Sequence, residues 1–211
     1  MTNDQVQQLL DGAIEKLIKA NDIFITYEYD ESERLAKSAL ETLLTLEKLQ
    51  NLGEELDPNS VRYSIIYQIA HAYNRLNVIA LSRYDLAAAL EFASISIVYA
   101  ERIRYYNRIS HLYSNIAALY SDLGEDDRAI EYAGIALAIS REHTSAEYIV
   151  NALNNIGEFY RRIADYNKSL EYAHEALALI EENNIMFDKC SVIGNIGVIY
   201  MDSGDYIIFN H

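Results

Sequence analysis

The string Asn-Ile-(Gly/Ala)-x-x-Tyr returns at one fixed interval. Its three copies, Asn115-Ile116-Ala117-Ala118-Leu119-Tyr120, Asn155-Ile156-Gly157-Glu158-Phe159-Tyr160 and Asn195-Ile196-Gly197-Val198-Ile199-Tyr200, are displaced from one another by 40 residues. A chain that repeats itself at such a period stacks copies of one supersecondary unit, because no single unit can bury its own apolar face. Around each tyrosine the apolar residues recur at helical spacing: Tyr113, Ile116, Ala117, Tyr120; Leu153, Ile156, Gly157, Tyr160; and Ile193, Ile196, Gly197, Tyr200. Each set forms one stripe of a helix that needs a partner.

A short polar break follows each stripe, at Leu123-Gly124-Glu125-Asp126, Ala164-Asp165-Tyr166-Asn167 and Ser203-Gly204-Asp205-Tyr206. These breaks supply helix-stopping and helix-starting residues. A second helix is then predicted, with Ala129, Ala133 and Ala136 aligning without gaps on Ser169, Ala173 and Ala176. Small side chains along one face let helices approach closely. Forty residues upstream the second helix is still legible from Ala89 to Ile97, preceded by Ile66, Ile69, Ala70 and Tyr73. Tyr73 precedes Ala89 by 16 residues where Tyr120 precedes Ala129 by nine, a surplus of seven. Seven residues are about two helical turns, which predicts a first helix extended in phase. Further upstream, Tyr29, Ser32, Ala36, Ala39 and Leu40 match Tyr166, Ser169, Ala173, Ala176 and Leu177 in spacing. That predicts a degenerate leading pair, its first helix running from about Asp4 to Asn21 with Val6, Leu9, Leu10, Ala13, Leu17 and Ile18 as the stripe. The clearest break, Asn51 to Ser60, contains Gly53 and Pro58 and is too short to separate domains.

Composition agrees. One proline and eight glycines in 211 residues are too few for a protein of tight turns and strands, and 51% hydrophobic content is ample for a core. A net charge of −15 disfavours nucleic acid and anionic membranes as partners, since both require a positive patch. The lone Cys190 excludes an internal disulfide and a thiolate zinc site, and reads as a small core residue. No signal peptide or membrane span is legible, so the expected location is the cytoplasm. His71, His111, His143, His174 and His211 share no metal-ligand spacing, and no phosphate loop or nucleophile motif occurs. No catalytic residue, metal or cofactor is therefore expected.

The spacing Leu153-x-x-Ile156-Gly157-x-x-Tyr160, followed by Asp165-Tyr166 and the small-residue helix, resembles the tetratricopeptide repeat over roughly residues 30 to 206. The chain departs from that family in its 40-residue period, where the usual one is about 34 residues, in placing Tyr132 and Tyr172 one position before the expected aromatic, and in lacking a closing proline. The resemblance implies an all-α, right-handed α-solenoid of antiparallel helix pairs over a single domain, residues 1–211. Its parts would be a degenerate leading pair (1–52), a repeat with an extended first helix (60–106), two regular repeats (110–145 and 147–184) and an incomplete final one (187–211).

In that architecture the first helices line a concave groove. With the stripe turned inward, the groove flank carries Asn151, Asn154, Glu158, Arg161 and Arg162, with Ser64, Tyr67, His71, Asn74 and Arg75 as equivalents in the earlier repeat, and His111, Ser114, Ala118, Ser121 and Asp122 in the middle one. Asparagine and arginine suit an extended peptide whose backbone amides need partners; the alternative is a solvated helix face. Asn115, Asn155 and Asn195 read as scaffold residues, each bonding to a neighbouring helix. Tyr99, Tyr105 and Tyr106 read as inter-repeat packing or an exposed patch. No lysine lies on the groove face, which disfavours a clamp for a C-terminal carboxylate. The expected function is a non-catalytic scaffold binding protein or peptide, the sensory region of a larger bacterial signalling protein whose output domain lies beyond residue 211. Alternatives are a peptide-responsive regulator, or a structural unit that homo-oligomerises through its C-terminal face.

Overall fold

The structure, a computed structural model, describes residues 1–49, 57–185 and 189–204. Among these residues lie nine α-helices and no strand: α1 (Asn3–Ile25), α2 (Tyr29–Leu49), α3 (Val61–Ser82), α4 (Leu86–Arg102), α5 (Tyr106–Asp122), α6 (Asp126–His143), α7 (Ala146–Arg162), α8 (Tyr166–Asn183) and α9 (Lys189–Ser203). The fold class is all-α, built of helix pairs of the solenoid type. The chain divides into two compact units, Met1–Tyr105 and Tyr106–His211. The first holds the pairs α1/α2 and α3/α4; the second holds α5/α6, α7/α8 and the helix α9. Much of the break from Asn51 to Ser60, residues 186–188 and the tail from Asp205 to His211 lie outside the described residues.

The turns explain why the period is 40. Tyr84, Gly124, Ala164 and Gly204 all have left-handed backbone, with φ of 58°, 76°, 63° and 78°, at positions spaced by forty residues. A left-handed residue after the last helical turn lets the next N–H reach back to an orphan carbonyl. Asp85 N–H thus bonds to Ala80 O, Glu125 N–H to Tyr120 O and Asp165 N–H to Tyr160 O, all at 2.8–2.9 Å. The aspartates then cap the following helix, Asp85 through Ala88 N–H at 3.1 Å and Asp165 through Lys168 N–H at 3.2 Å. One residue therefore closes one helix and opens the next. Left-handed backbone costs an L-residue about 1–2 kcal/mol, partly offset by the greater unfolded-state freedom of glycine. Ala164→Gly is accordingly expected to stabilise the protein by roughly 0.5–1 kcal/mol, read as a raised urea midpoint with an unchanged slope.

Within pairs, small residues set the spacing. Ser32, Ala36 and Ala39 on α2, Ala89, Ala93 and Ser96 on α4, Ala129, Ala133 and Ala136 on α6, and Ser169, Ala173 and Ala176 on α8 are all buried. The serines do not bring unpaired hydroxyls into the core: Ser32 donates to Ala20 O at 2.7 Å, Ser96 to Ala70 O at 2.8 Å and Ser169 to Gly157 O at 2.8 Å. Each is a cross-helix hydrogen bond made where a larger side chain would not fit. The tyrosines close the pairs above them. Tyr120 stacks on Tyr132 at 5.2 Å and Tyr160 on Tyr172 at 5.5 Å between ring centroids, which gives the displaced aromatic of the second helix its role.

Several expectations change. Helix α3 has 22 residues against 17 in α5 and α7. Counted back from the shared left-handed turn, however, Tyr73 stands where Tyr113 stands, and Ala80 takes the place of Tyr120. The extra length lies at the N-terminal end of α3 and not between Tyr73 and the turn. In α1, Val6, Leu10 and Ala13 are buried as predicted, whereas Leu9 (45% exposed) and Ile18 (57%) face solvent. Cys190 is exposed, because it lies two residues before buried Val192 and so on the opposite side of α9. Ile193 is exposed for a related reason: α9 buries Val192, Ile196 and Ile199. Tyr99 belongs to unit 1's packing, donating to Glu47 at 3.0 Å and stacking on Tyr73 at 6.0 Å. Burial, with the Glu47 charge second, pushes its phenol up to about 12. Tyr105 packs on Tyr67 at 5.3 Å, and Tyr106 stacks on His143 at 3.8 Å.

Candidate functional site

In unit 2 the first helices of successive pairs, α5 and α7, lie side by side and enclose a cavity of about 450 Å³. It is lined by Ser110, His111, Ser114, Asn115 and Ala118 from α5, and by Tyr148, Asn151, Ala152, Asn155 and Phe159 from α7. A volume of that size falls within the range of about 300–1,000 Å³ typical of ligand sites. Its chemistry is set by helical spacing. His111 and Asn115, and likewise Asn151 and Asn155, are four residues apart and so share a face. Asn115 Nδ2 lies 3.4 Å from His111 Nδ1, and no carboxylate or cation lines the cavity.

His111 is solvent-accessible yet desolvated by the atoms around it, the mark of a concave surface. That burial, and then the nearby Arg108 charge, holds its pKa below the ordinary histidine value, so the ring is neutral at pH 7. The site therefore offers amides, hydroxyls and a neutral imidazole, groups that both donate and accept, in a chain of net charge −15.

The predicted flank is divided by α7. Asn151 joins His111 and Ser114 in this cavity, while its helical neighbours Asn154, Glu158 and Arg161 border a second cavity of about 210 Å³. Arg161 donates to Glu158 Oε1 at 2.6 Å and also pairs with Asp202 of α9. These two carboxylates raise its pKa, by hydrogen bonding first and charge second. Arg162 donates to Ser121 O at 3.0 Å and reaches Asp122 at 3.5 Å, placing its charge against the C-terminal end of α5, where the helix dipole favours a cation. Arg162 and Asp122 thus tie two helices together.

In unit 1 the corrected register puts His71 at the position of His111 and Asn151, Asn74 at that of Ser114 and Asn154, and Arg75 at that of Asn115 and Asn155. Ser64 and Tyr67 fall N-terminal to these matched positions. Tyr67 packs on His71 at 4.5 Å, and Arg75 pairs with Asn21 and lies 5.3 Å over Phe24. Asn74 Oδ1 is buried without a hydrogen-bond partner. The flank in unit 1 thus carries a tyrosine–histidine pair and an arginine, whereas that in unit 2 is amide-rich.

Asn115 and Asn155, read from sequence as scaffold, line the cavity instead, and Asn195 lines the second one. Their four-residue step from His111 and Asn151 was the available signal. Among the described residues no cluster of His, Cys, Asp and Glu is placed to hold a metal ion, and no helix is long and apolar enough to cross a membrane.

A sequence profile of the tetratricopeptide repeat family matches residues 110–146 and 149–183, which cover most of α5/α6 and of α7/α8. No curated protein matches the chain in sequence. Solved structures resemble it in fold. Aspartyl phosphate phosphatase F from Bacillus subtilis superposes with a TM-score of 0.74 at 13% identity, over 93% of this chain and 47% of that one. A signal transduction ATPase with numerous domains and a tetratricopeptide repeat sensor, from Pyrococcus horikoshii, gives 0.69 at 16% identity, over 95% of this chain and 29% of that one. A Rap protein complexed with competence and sporulation factor gives 0.59 at 19% identity, over 90% and 48%. The chain thus spans about half the length of the phosphatase and of the Rap protein. Two tetratricopeptide repeats are thus matched in sequence within residues 110–183, and the chain shares the fold of tetratricopeptide repeat proteins.

Proposed function

We propose that the chain is a non-catalytic binding module that holds an extended protein segment on the α5/α7 face, as the sensory or interaction region of a larger cytoplasmic bacterial signalling protein. The observation that carries this reading is the amide-lined, uncharged cavity formed by His111, Ser114, Asn115, Asn151 and Asn155. An extended backbone presents alternating N–H and C=O groups, and a side-chain amide answers both at once. The likeness in fold to a signal transduction ATPase with a tetratricopeptide repeat sensor, and to a Rap protein complexed with competence and sporulation factor, supports a regulatory setting. The second of these favours the peptide-responsive version of the same reading.

The test is to select binders from a displayed library of random dodecapeptides on the 211-residue chain and to compare affinities for the Asn151→Ala/Asn155→Ala variant. Both asparagines are exposed, so helicity should be unchanged. Loss of two hydrogen-bonding groups at roughly 1 kcal/mol each predicts about 10- to 30-fold weaker binding. Equal affinities, or no selected peptide at all, would sink the reading.

A further inference from the structure

The second cavity, of about 210 Å³, differs from the first in its lining. Its floor is made by Leu153, Gly157, Ala173 and Ile199, all buried. The polar side chain among them, Ser169, already donates to Gly157 O at 2.8 Å. Among the described residues, no buried polar atom lining this cavity is left without a hydrogen-bond partner. Nothing in the floor therefore calls for a polar guest, and apolar surface placed there leaves water at a gain. Size narrows the guest further. A cavity of about 150 Å³ holds a benzene molecule, so this one accommodates a single large side chain but falls below the range of about 300–1,000 Å³ for whole small-molecule ligands.

The rim adds a charge preference. Asn154, Asn195 and half-exposed Val198 border the opening, with Glu158 and Arg161 beside them. Arg161 is held between Glu158 and Asp202, so the trio carries one net negative charge. A carboxylate arriving there meets repulsion, and a cation meets attraction.

We propose that this cavity is a specificity pocket which takes one apolar side chain, of leucine to phenylalanine size, from a neutral-to-basic extended segment whose backbone lies on the asparagine cavity. The proposal rests on the function proposed above. The two cavities flank one helix, whose width with side chains is about 10 Å, and an extended chain rises about 3.3 Å per residue. The apolar side chain therefore lies about three residues along the segment from the residue seated between Asn151 and Asn155.

The probes are the dodecapeptides selected on the full chain. The expected result is enrichment of Leu, Ile, Met or Phe at one position, with Asp and Glu depleted beside it. Val198→Trp, at an exposed rim position, should fill the opening and weaken those peptides at least tenfold, while peptides carrying Ala at that position should bind both proteins alike. Asp202→Lys should independently relieve the depletion of acidic residues. If selected peptides lose affinity with Asn151→Ala/Asn155→Ala but show no apolar preference and no response to Val198→Trp or Asp202→Lys, the pocket assignment is overturned and the groove reading stands. If no peptide is selected, both fall together.

Discussion

Leu153→Ala is expected to destabilise unit 2 by about 3 kcal/mol, within the roughly 2–5 kcal/mol that truncation of a buried leucine costs. Leu153 is fully buried in the cluster that joins Ile156 and Phe159 of α7 to Ala173, Ala176 and Ile180 of α8 and to Val192 and Ile196 of α9. The cluster draws on several helices, and helices fixed by backbone hydrogen bonds and small-residue contacts cannot collapse freely into the space left behind. Hydrogen exchange should report faster opening across α5 to α9, the helices that share this cluster. A cost below about 1 kcal/mol would mean that the helices close around the missing atoms, and that the repeat stripe is less tightly packed than its burial implies.

Leu153 also marks how far the fold could be read from sequence. A buried stripe at three- and four-residue spacing is visible as soon as one helix is compared with the next, because the period of an α-helix and the period of the repeat are independent constraints on the same residues. The failure at α3 has the same origin. Seven residues are nearly two full turns, so sliding α3 by seven keeps Ile66, Ile69, Ala70 and Tyr73 on the buried face in either register. Only the left-handed turn at Tyr84, forty residues before Gly124, distinguishes the two, and a tyrosine gives no warning of positive φ where a glycine would.

The candidate site was less legible. Asn115 and Asn155 recur with the scaffold residues, and recurrence alone points to a structural role. Yet a position that repeats along a stack of first helices also repeats along any surface those helices share, so periodicity cannot separate scaffold from site. The same face bears Asn151 and His111 four residues earlier, and that second spacing is the stronger guide. Arg161 and Arg162 illustrate the converse. Cations scarce in an acidic chain invite a binding role, but each has carboxylates within reach from a neighbouring helix, Asp202 for one and Asp122 for the other. Partners some 40 residues away in sequence are decided by the stacking of pairs, which local pattern does not contain.

Ala176→Leu should be nearly as damaging as losing Leu153, and a control two residues away makes the reason testable. Ala176 has no exposed surface, whereas Ala178 on the same helix is exposed. Both substitutions carry the same change in helix propensity, since alanine and leucine are both strong helix formers. They differ in what the added atoms meet. At 176 three further carbons enter an interface already at close contact, where even a Cβ on Gly157 would lie 3.5 Å from Ser169 O and from Tyr172 Cβ. Overpacking of that kind costs about 1–3 kcal/mol, and here α8 must move away from α7, which also strains the Ser169 to Gly157 hydrogen bond. At 178 the carbons enter solvent, and the expected change lies within about 0.5 kcal/mol of zero. Urea denaturation of the two variants separates the cases. Equal stabilities would mean that the small-residue face does not set the distance between the helices, and the close pairing of α7 with α8 would need another cause.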